Sequence, residues 1–142
     1  MPSSMVCGSV TKMRKQILSD LKFMSYAPVL FLSALTGQRV NTVLSAVKDA
    51  YAQYCKRVPT GVINEALADA QASLQPPLSG GRRLKIYYAT QQSTCPPTFV
   101  FFINHEELMH FAYERYLENH FRKSFGFQGT PIRFVLREKT KE

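Results

Sequence analysis

Several function classes are excluded by what this chain does not contain. It has no Cys-x-x-Cys pair, and its 3 cysteines, Cys7, Cys55 and Cys95, are far apart and odd in number. That pattern excludes a zinc ribbon and a disulfide framework, and it points to a reducing compartment. No Asn-x-Ser/Thr acceptor occurs, in keeping with an intracellular chain. The longest apolar runs, Thr98 to Ile103 and Pro28 to Leu32, are strand-sized and far too short to span a bilayer, so no membrane partner is expected. The phosphate-cradling Gly-x-x-x-x-Gly-Lys-Ser/Thr is absent, which leaves nucleotide phosphates without a loop to hold them. His105-Glu106-Glu107-Leu108-Met109-His110 has one residue too many for a zinc-binding His-Glu-x-x-His. On a helix a spacing of five turns the second ring about 140° from the first, so no metal site is expected. Cys95 has no neighbouring base in sequence, and no catalytic residue is assigned.

What is present is a globular composition with a basic excess. Apolar residues make up 45% of the 142 and charged ones 20%, which is not the balance of a disordered chain. The net charge of +8 is shared equally by the parts before and after Cys55, so no basic tail accounts for it. An anionic partner follows: nucleic acid first, a membrane surface or acidic protein next.

Taken in order, residues 1–13 read as an irregular leader. They are free of acid and rich in Ser and Thr, a weak transit-peptide trait. Thr11 is placed to cap a short helix with Met13, Ile17, Leu18 and Leu21 on one face, which Tyr26-Ala27-Pro28 ends. Val29 to Leu32 suits a buried strand. Asn41 is placed to cap a second helix whose buried stripe is Val40, Leu44, Val47, Tyr51 and Tyr54. This α-β-α run supplies a lone strand with no neighbour, which is not a sheet.

After a linker near Arg57, Thr60 is placed to cap a helix with Ile63, Leu67, Ala70 and Leu74 on one face. A loop over Leu78 to Gly81 follows. Leu84, Ile86 and Tyr88 alternate with Arg83, Lys85 and Tyr87, and Phe99, Phe101 and Ile103 with Val100 and Phe102, as in paired strands. Asn104 and Glu107 have the spacing of a capping box for a long helix. Met109, Tyr113, Leu117, Phe121 and Phe125 form that helix's apolar stripe, and Ile132, Phe134 and Leu136 the inner face of a last strand. The order α-β-β-α-β predicts an α+β domain of two layers, with a three-stranded sheet and both helices on one face.

The other sheet face would present Arg83, Lys85, Tyr87, Arg133 and Arg137. Cations there would neutralise phosphates and rings would stack bases. Docking against another protein domain is the equal alternative, because Phe102 and Val135 suit bare solvent poorly. Arg122 and Lys123 extend the basic set along the helix, interleaved with Glu114 and Glu118. Gly126-x-x-Gly129 has the spacing of the backbone clamp of KH domains, but a helix C-cap is the better reading.

The stretches YAPVLFLSALTGQRV, GRRLKIYYATQ, PPTFVFFIN and RYLENHFRKSFGFQGTPI together resemble the C-terminal end of the EngA/Der family of tandem-GTPase ribosome-assembly factors. The resemblance runs from about Lys12 to Glu138. It implies that residues 57–142 are the family's KH-like domain and that 14–56 are an α-β-α remnant of its second, P-loop GTPase domain, as in a piece of a longer protein. It further implies a role in large-subunit ribosome biogenesis, with ribosomal RNA and the family's G domains as partners. The alternative it carries is an intramolecular docking module that senses the GTP or GDP state of those domains. Ser33, Ala34 and Leu35 match the family's guanine-contacting loop. The family's GTPase uses GTP or GDP and Mg, but the phosphate loop, Asp-x-x-Gly and Asn-Lys-x-Asp are absent here. No cofactor and no hydrolysis are therefore expected of this chain alone. The implied location is the bacterial cytoplasm, or the plastid stroma of a photosynthetic eukaryote. Val29 to Leu32 is expected to leave an unpaired strand edge.

Overall fold

Phe99, Phe101 and Ile103 are completely buried, and the second half of the chain is built over them. They lie on β4 (Thr98–Ile103), the central strand of a three-stranded sheet in the computed structural model, which describes residues 3–139 and side chains from residue 8 on. β3 (Ile86–Ser93) pairs antiparallel on one side of β4, and β5 (Arg133–Glu138) pairs parallel on the other. The parallel pairing needs a crossover, and α4 (Phe111–Phe125) supplies it. α4 and α3 (Thr60–Ser73) cover one face of the sheet. Each turns a helical-period stripe inward: Ile63, Ala66, Leu67 and Ala70 from α3, Tyr113, Leu117, Phe121 and Phe125 from α4. Phe99 sits among the rings of Phe121, Phe125, Phe127 and Phe134, with centroids 5.3 to 6.4 Å away. The Phe121, Phe127 and Phe134 rings meet it edge-to-face and Phe125 is stacked with it, and such pairs add to the burial term. The expected two-layer α+β domain is therefore present, in the order expected.

The elements differ from the sequence reading in detail. Ser3–Asp20 is one helix, α1, where an irregular leader and a cap at Thr11 were expected. No proline interrupts that stretch, so nothing in the backbone stops the helix from extending. Val29 to Leu32 is not a strand but irregular chain, since among the described residues no strand lies beside it to complete a ladder. α2 (Asn41–Tyr54) forms where expected, but Asn41 is its first helical residue and not its cap. The same holds for Thr60 in α3, where Pro59 stands at the cap position. The expected buried stripe of α2 faces solvent: Leu44 is 68%, Val47 59% and Tyr51 66% exposed. Leu74, past the end of α3, is also exposed.

Leu78 to Gly81 is not an open loop. β1 (Leu78–Ser79) and β2 (Arg82–Arg83) form a tight ribbon across Gly80 and Gly81. Both glycines have positive φ, at 57° and 77°, as a twisted two-residue hairpin requires. The long helix does not start at Asn104. Its side chain instead ties the end of β4 to the segment that joins β2 to β3, accepting from the Lys85 amide at 2.9 Å and donating to the Arg83 carbonyl at 3.0 Å. A single 3-10 turn (Glu106–Leu108) follows, its Glu106 amide donating to the Glu138 carboxylate at 2.9 Å, and α4 begins only at Phe111. Glu107 therefore closes no capping box.

Candidate nucleic-acid interface

The face of the sheet opposite the helices is built by strand register. Ile86 opposes Ile103 but Tyr88 opposes Phe102, so Tyr87 is an extra residue, a β-bulge. The bulge breaks the alternation expected along β3. Ala89 and Gln91 turn inward and are buried, while Tyr87 and Tyr88 are both exposed. Tyr88 thus faces outward instead of joining Leu84 and Ile86 in the core. It stacks on Phe102, with centroids 4.3 Å apart and planes 20° from parallel. Arg137 is the next residue across, paired with Phe102 on β5. Lys139 follows the strand and sets its ammonium 5.7 Å from the ring centroids of both Tyr87 and Tyr88. Arg133 stands at the far end of β5, opposite Thr98.

Among the described residues, the side chains of Lys85, Lys123, Arg133 and Arg137 meet no carboxylate within ion-pair distance and no hydrogen-bond partner. Their charge is available to an outside anion. Chemically the face offers a stacked aromatic pair rimmed by unneutralised cations, which suits unstacked bases and their phosphates.

The other nominated residues scatter. Arg83, Lys85 and Tyr87 do not join the outer face as one row. They line a depression at the edge of β3, with Gln71, Gln75 and Pro76 beside them. Arg83 donates to the Gln75 side chain there at 2.8 Å. Lys123 lies on the helix layer. Arg122 is engaged inside the protein: its guanidinium donates to Glu118, and at 2.9 Å to the carbonyls of Phe127 and Thr130. It also lies 4.1 Å from the Tyr26 ring centroid. The sequence reading missed Tyr88 and Lys139. The bulge that exposes Tyr88 carries no sequence signature, whereas Lys139 was visible as one more cation beyond the last strand.

The Gly126-x-x-Gly129 segment ends α4, as the C-cap reading expected. Gly126 has φ of +94°, and its amide returns to the Arg122 carbonyl at 2.8 Å. The loop turns toward α2 and Tyr26 and away from the open sheet face. The Gly129 amide donates to the Tyr26 carbonyl at 2.8 Å, and the Phe127 amide to the Gln53 side chain at 3.0 Å. At Gly129, φ is +77° and an added Cβ would lie 3.0 Å from that of Ala50. Glycine is required at this contact.

Ser33, Ala34 and Leu35 form an exposed turn. The Ser33 amide is used by the Gln38 carbonyl at 3.0 Å, and the Ser33 hydroxyl oxygen accepts from the Thr36 amide at 3.3 Å. The amides of Ala34 and Leu35 have no acceptor among the described residues, and the Leu35 side chain is 97% exposed. Among the described residues no three His, Cys, Asp or Glu side chains gather to hold a metal. His105 and His110 do not lie on one helix.

The fold and the open face define a KH-like domain. Residues 57–137 match the family model described as KH-domain-like of EngA bacterial GTPase enzymes, C-terminal. The chain is 56% identical over 135 residues to GTPase Der of Acetivibrio thermocellus, covering 95% of this chain and 31% of that protein. It is 56% identical over 126 residues to GTPase Der of Alkaliphilus oremlandii, covering 89% of this chain and 29% of that one. The chain therefore belongs to the EngA/Der GTPase family, and it spans under a third of the length of these relatives.

Proposed function

We propose that this chain acts as the C-terminal part of a Der-type GTPase in large-subunit ribosome biogenesis, and that its KH-like domain holds ribosomal RNA. The observation that carries the reading is the Tyr88–Phe102 stack bordered by Arg137 and Lys139 on the sheet face opposite α3 and α4. Rings stack bases without regard to sequence, and the cations release counterions from the phosphates they meet. The work belongs in the compartment that houses ribosomes, the bacterial cytoplasm or a plastid stroma. Among the described residues no helix is long and apolar enough to cross a membrane. Filter binding to ribosomal RNA across a salt series tests the reading. Affinity should fall steeply between 50 and 200 mM salt, in the manner of phosphate-contacting proteins. No binding at low salt, or a slope near zero, defeats it.

A second reading, docking onto the G domains of a full-length protein, is favoured by the exposed Leu44, Val47 and Tyr51 of α2. An apolar stripe of this size is costly in water and fits a protein partner. In a complete G domain the free amides of Ala34 and Leu35, beside Ser33, suit the oxygen of a guanine base. GTP and Mg would need phosphate and metal ligands that the described residues do not supply, so the chain alone should not hydrolyse GTP. Adding purified G domains in trans separates the readings. A stable complex that RNA displaces assigns the sheet face to docking, and RNA binding indifferent to those domains assigns it to RNA.

A further inference from the structure

The three cysteines look unrelated in sequence, yet two of them meet. Cys55 is the C-cap of α2, and Cys95 lies in the β3–β4 hairpin loop, in the KH-like domain. Their sulfurs are 2.6 Å apart. The approach is built by the backbone. The Cys95 amide donates to the Tyr54 carbonyl at 3.0 Å, pinning the hairpin to the last turn of α2. Cys95 also adopts a left-handed φ of +56°, uncommon for a side-chain-bearing residue and held only where surroundings fix it. Cys95 is exposed and Cys55 half-buried, so an oxidant reaches the first and the second waits beside it.

We propose that Cys55 and Cys95 are a reversible redox pair whose disulfide ties α2 to the KH-like domain. With hydrogen peroxide as oxidant, the Cys95 thiolate attacks one peroxide oxygen. It becomes a sulfenic acid and releases hydroxide, which takes up the proton the thiol lost. The Cys55 thiol then displaces the sulfenic hydroxyl as water, closing the S–S bond. Two thiols and one peroxide thus give one disulfide and two waters, with two electrons passing from sulfur to oxygen. A small-molecule dithiol reverses it. The Cys55 neighbour, and burial after it, raise the Cys95 thiol above its ordinary value, so the reaction should quicken as the pH is raised. The consequence is mechanical. The bond would fix the C-terminal end of α2 against the domain that carries the open sheet face. This inference does not depend on what that face binds.

Thiol counting and non-reducing peptide mapping of the whole chain test it. After peroxide treatment two of the three thiols should be lost. Trypsin should then release Asp49–Lys56 joined to Ile86–Arg115, and dithiothreitol should separate them. The Cys55→Ser and Cys95→Ser variants should each abolish that species, while Cys7→Ser should leave it. Three free thiols after peroxide has consumed an equimolar reference thiol would overturn the proposal. So would a crosslink that involves Cys7 or joins two molecules. The mapping is done on the unaltered chain, so a variant that fails to fold does not blunt the test.

Discussion

Arg122 and Arg137 have the same side chain and different employment. Arg137 has no partner among the described residues and faces outward beside Phe102, whereas Arg122 satisfies two loop carbonyls and a carboxylate. Arg137→Gln should therefore weaken RNA binding and lower the salt slope by about 1, with melting temperature unchanged. Arg122→Gln should instead cost about 1–3 kcal/mol of stability, because it leaves half-buried acceptors unpaired. Filter binding and thermal melts on both variants check the pair, and a matched effect of the two would remove Arg137 from the interface. Tyr113 offers a pH test. Its hydroxyl donates to the Leu74 carbonyl at 3.0 Å, and burial first, then Tyr116, raise its pKa from 10.0 to about 12. The folded state thus holds the proton more tightly than the unfolded state. The stability this contributes is complete below pH 10 and is lost as the pH climbs toward 12. Tyr113→Phe should cost about 1 kcal/mol at neutral pH. It should also flatten the alkaline fall, as read from urea midpoints at pH 8 and pH 11.

At the scale of elements, the contact that matters most is between α2 and the loop after α4. It consists of the Gln53 side chain on the Phe127 amide and the Gly129–Ala50 approach, and it is flanked by the Tyr26 ring against Arg122 of α4 and by Lys56, just past α2, donating to the Phe125 carbonyl at the end of α4. Gly129→Ala imposes both a left-handed residue and a steric overlap, and should cost about 1–2 kcal/mol. Gln53→Ala leaves the Phe127 amide unpaired, at about 1–3 kcal/mol. Both should speed hydrogen exchange through α2 while leaving β4 protected, since the Phe99 cluster is untouched. Equal acceleration in β4 would mean that α2 and the domain unfold as one unit.

For the molecule as a whole, the exposed aliphatic stripe of α2 and the unpaired cations of the sheet lie on different elements. The sheet face and its edge carry free cations, while α2 carries bare Leu44, Val47 and Tyr51. Without a partner the apolar side should self-associate. Leu44→Lys combined with Val47→Lys should abolish any concentration-dependent growth in sedimentation velocity without shifting the melting temperature, because neither side chain is in the core. A fall of several degrees would show that the stripe is packed in solution.

Local pattern and aromatic content determined the domain itself. The stripes of α3 and α4 and the alternation of β4 are written at helical and strand spacing, and their burial follows from the hydrophobic effect alone. Family membership was legible for the same reason, since GRRLKIYYATQ and RYLENHFRKSFGFQGTPI hold a strand and the main helix of that domain. What tertiary structure decided was everything that rests on register or on contact between distant segments. The bulge at Tyr87 exposed Tyr88, and the Asn104 clip between Arg83 and Lys85 put its side chain to another use than helix capping. Val29 to Leu32 stayed irregular for want of a neighbouring strand among the described residues. The stripe of α2 remained in solvent although its periodicity called for burial, because periodicity states which residues would share a face but not whether anything covers it. Cys55 and Cys95 met only because the Tyr54 carbonyl holds the hairpin in place, a hydrogen bond that spacing along the chain cannot reveal.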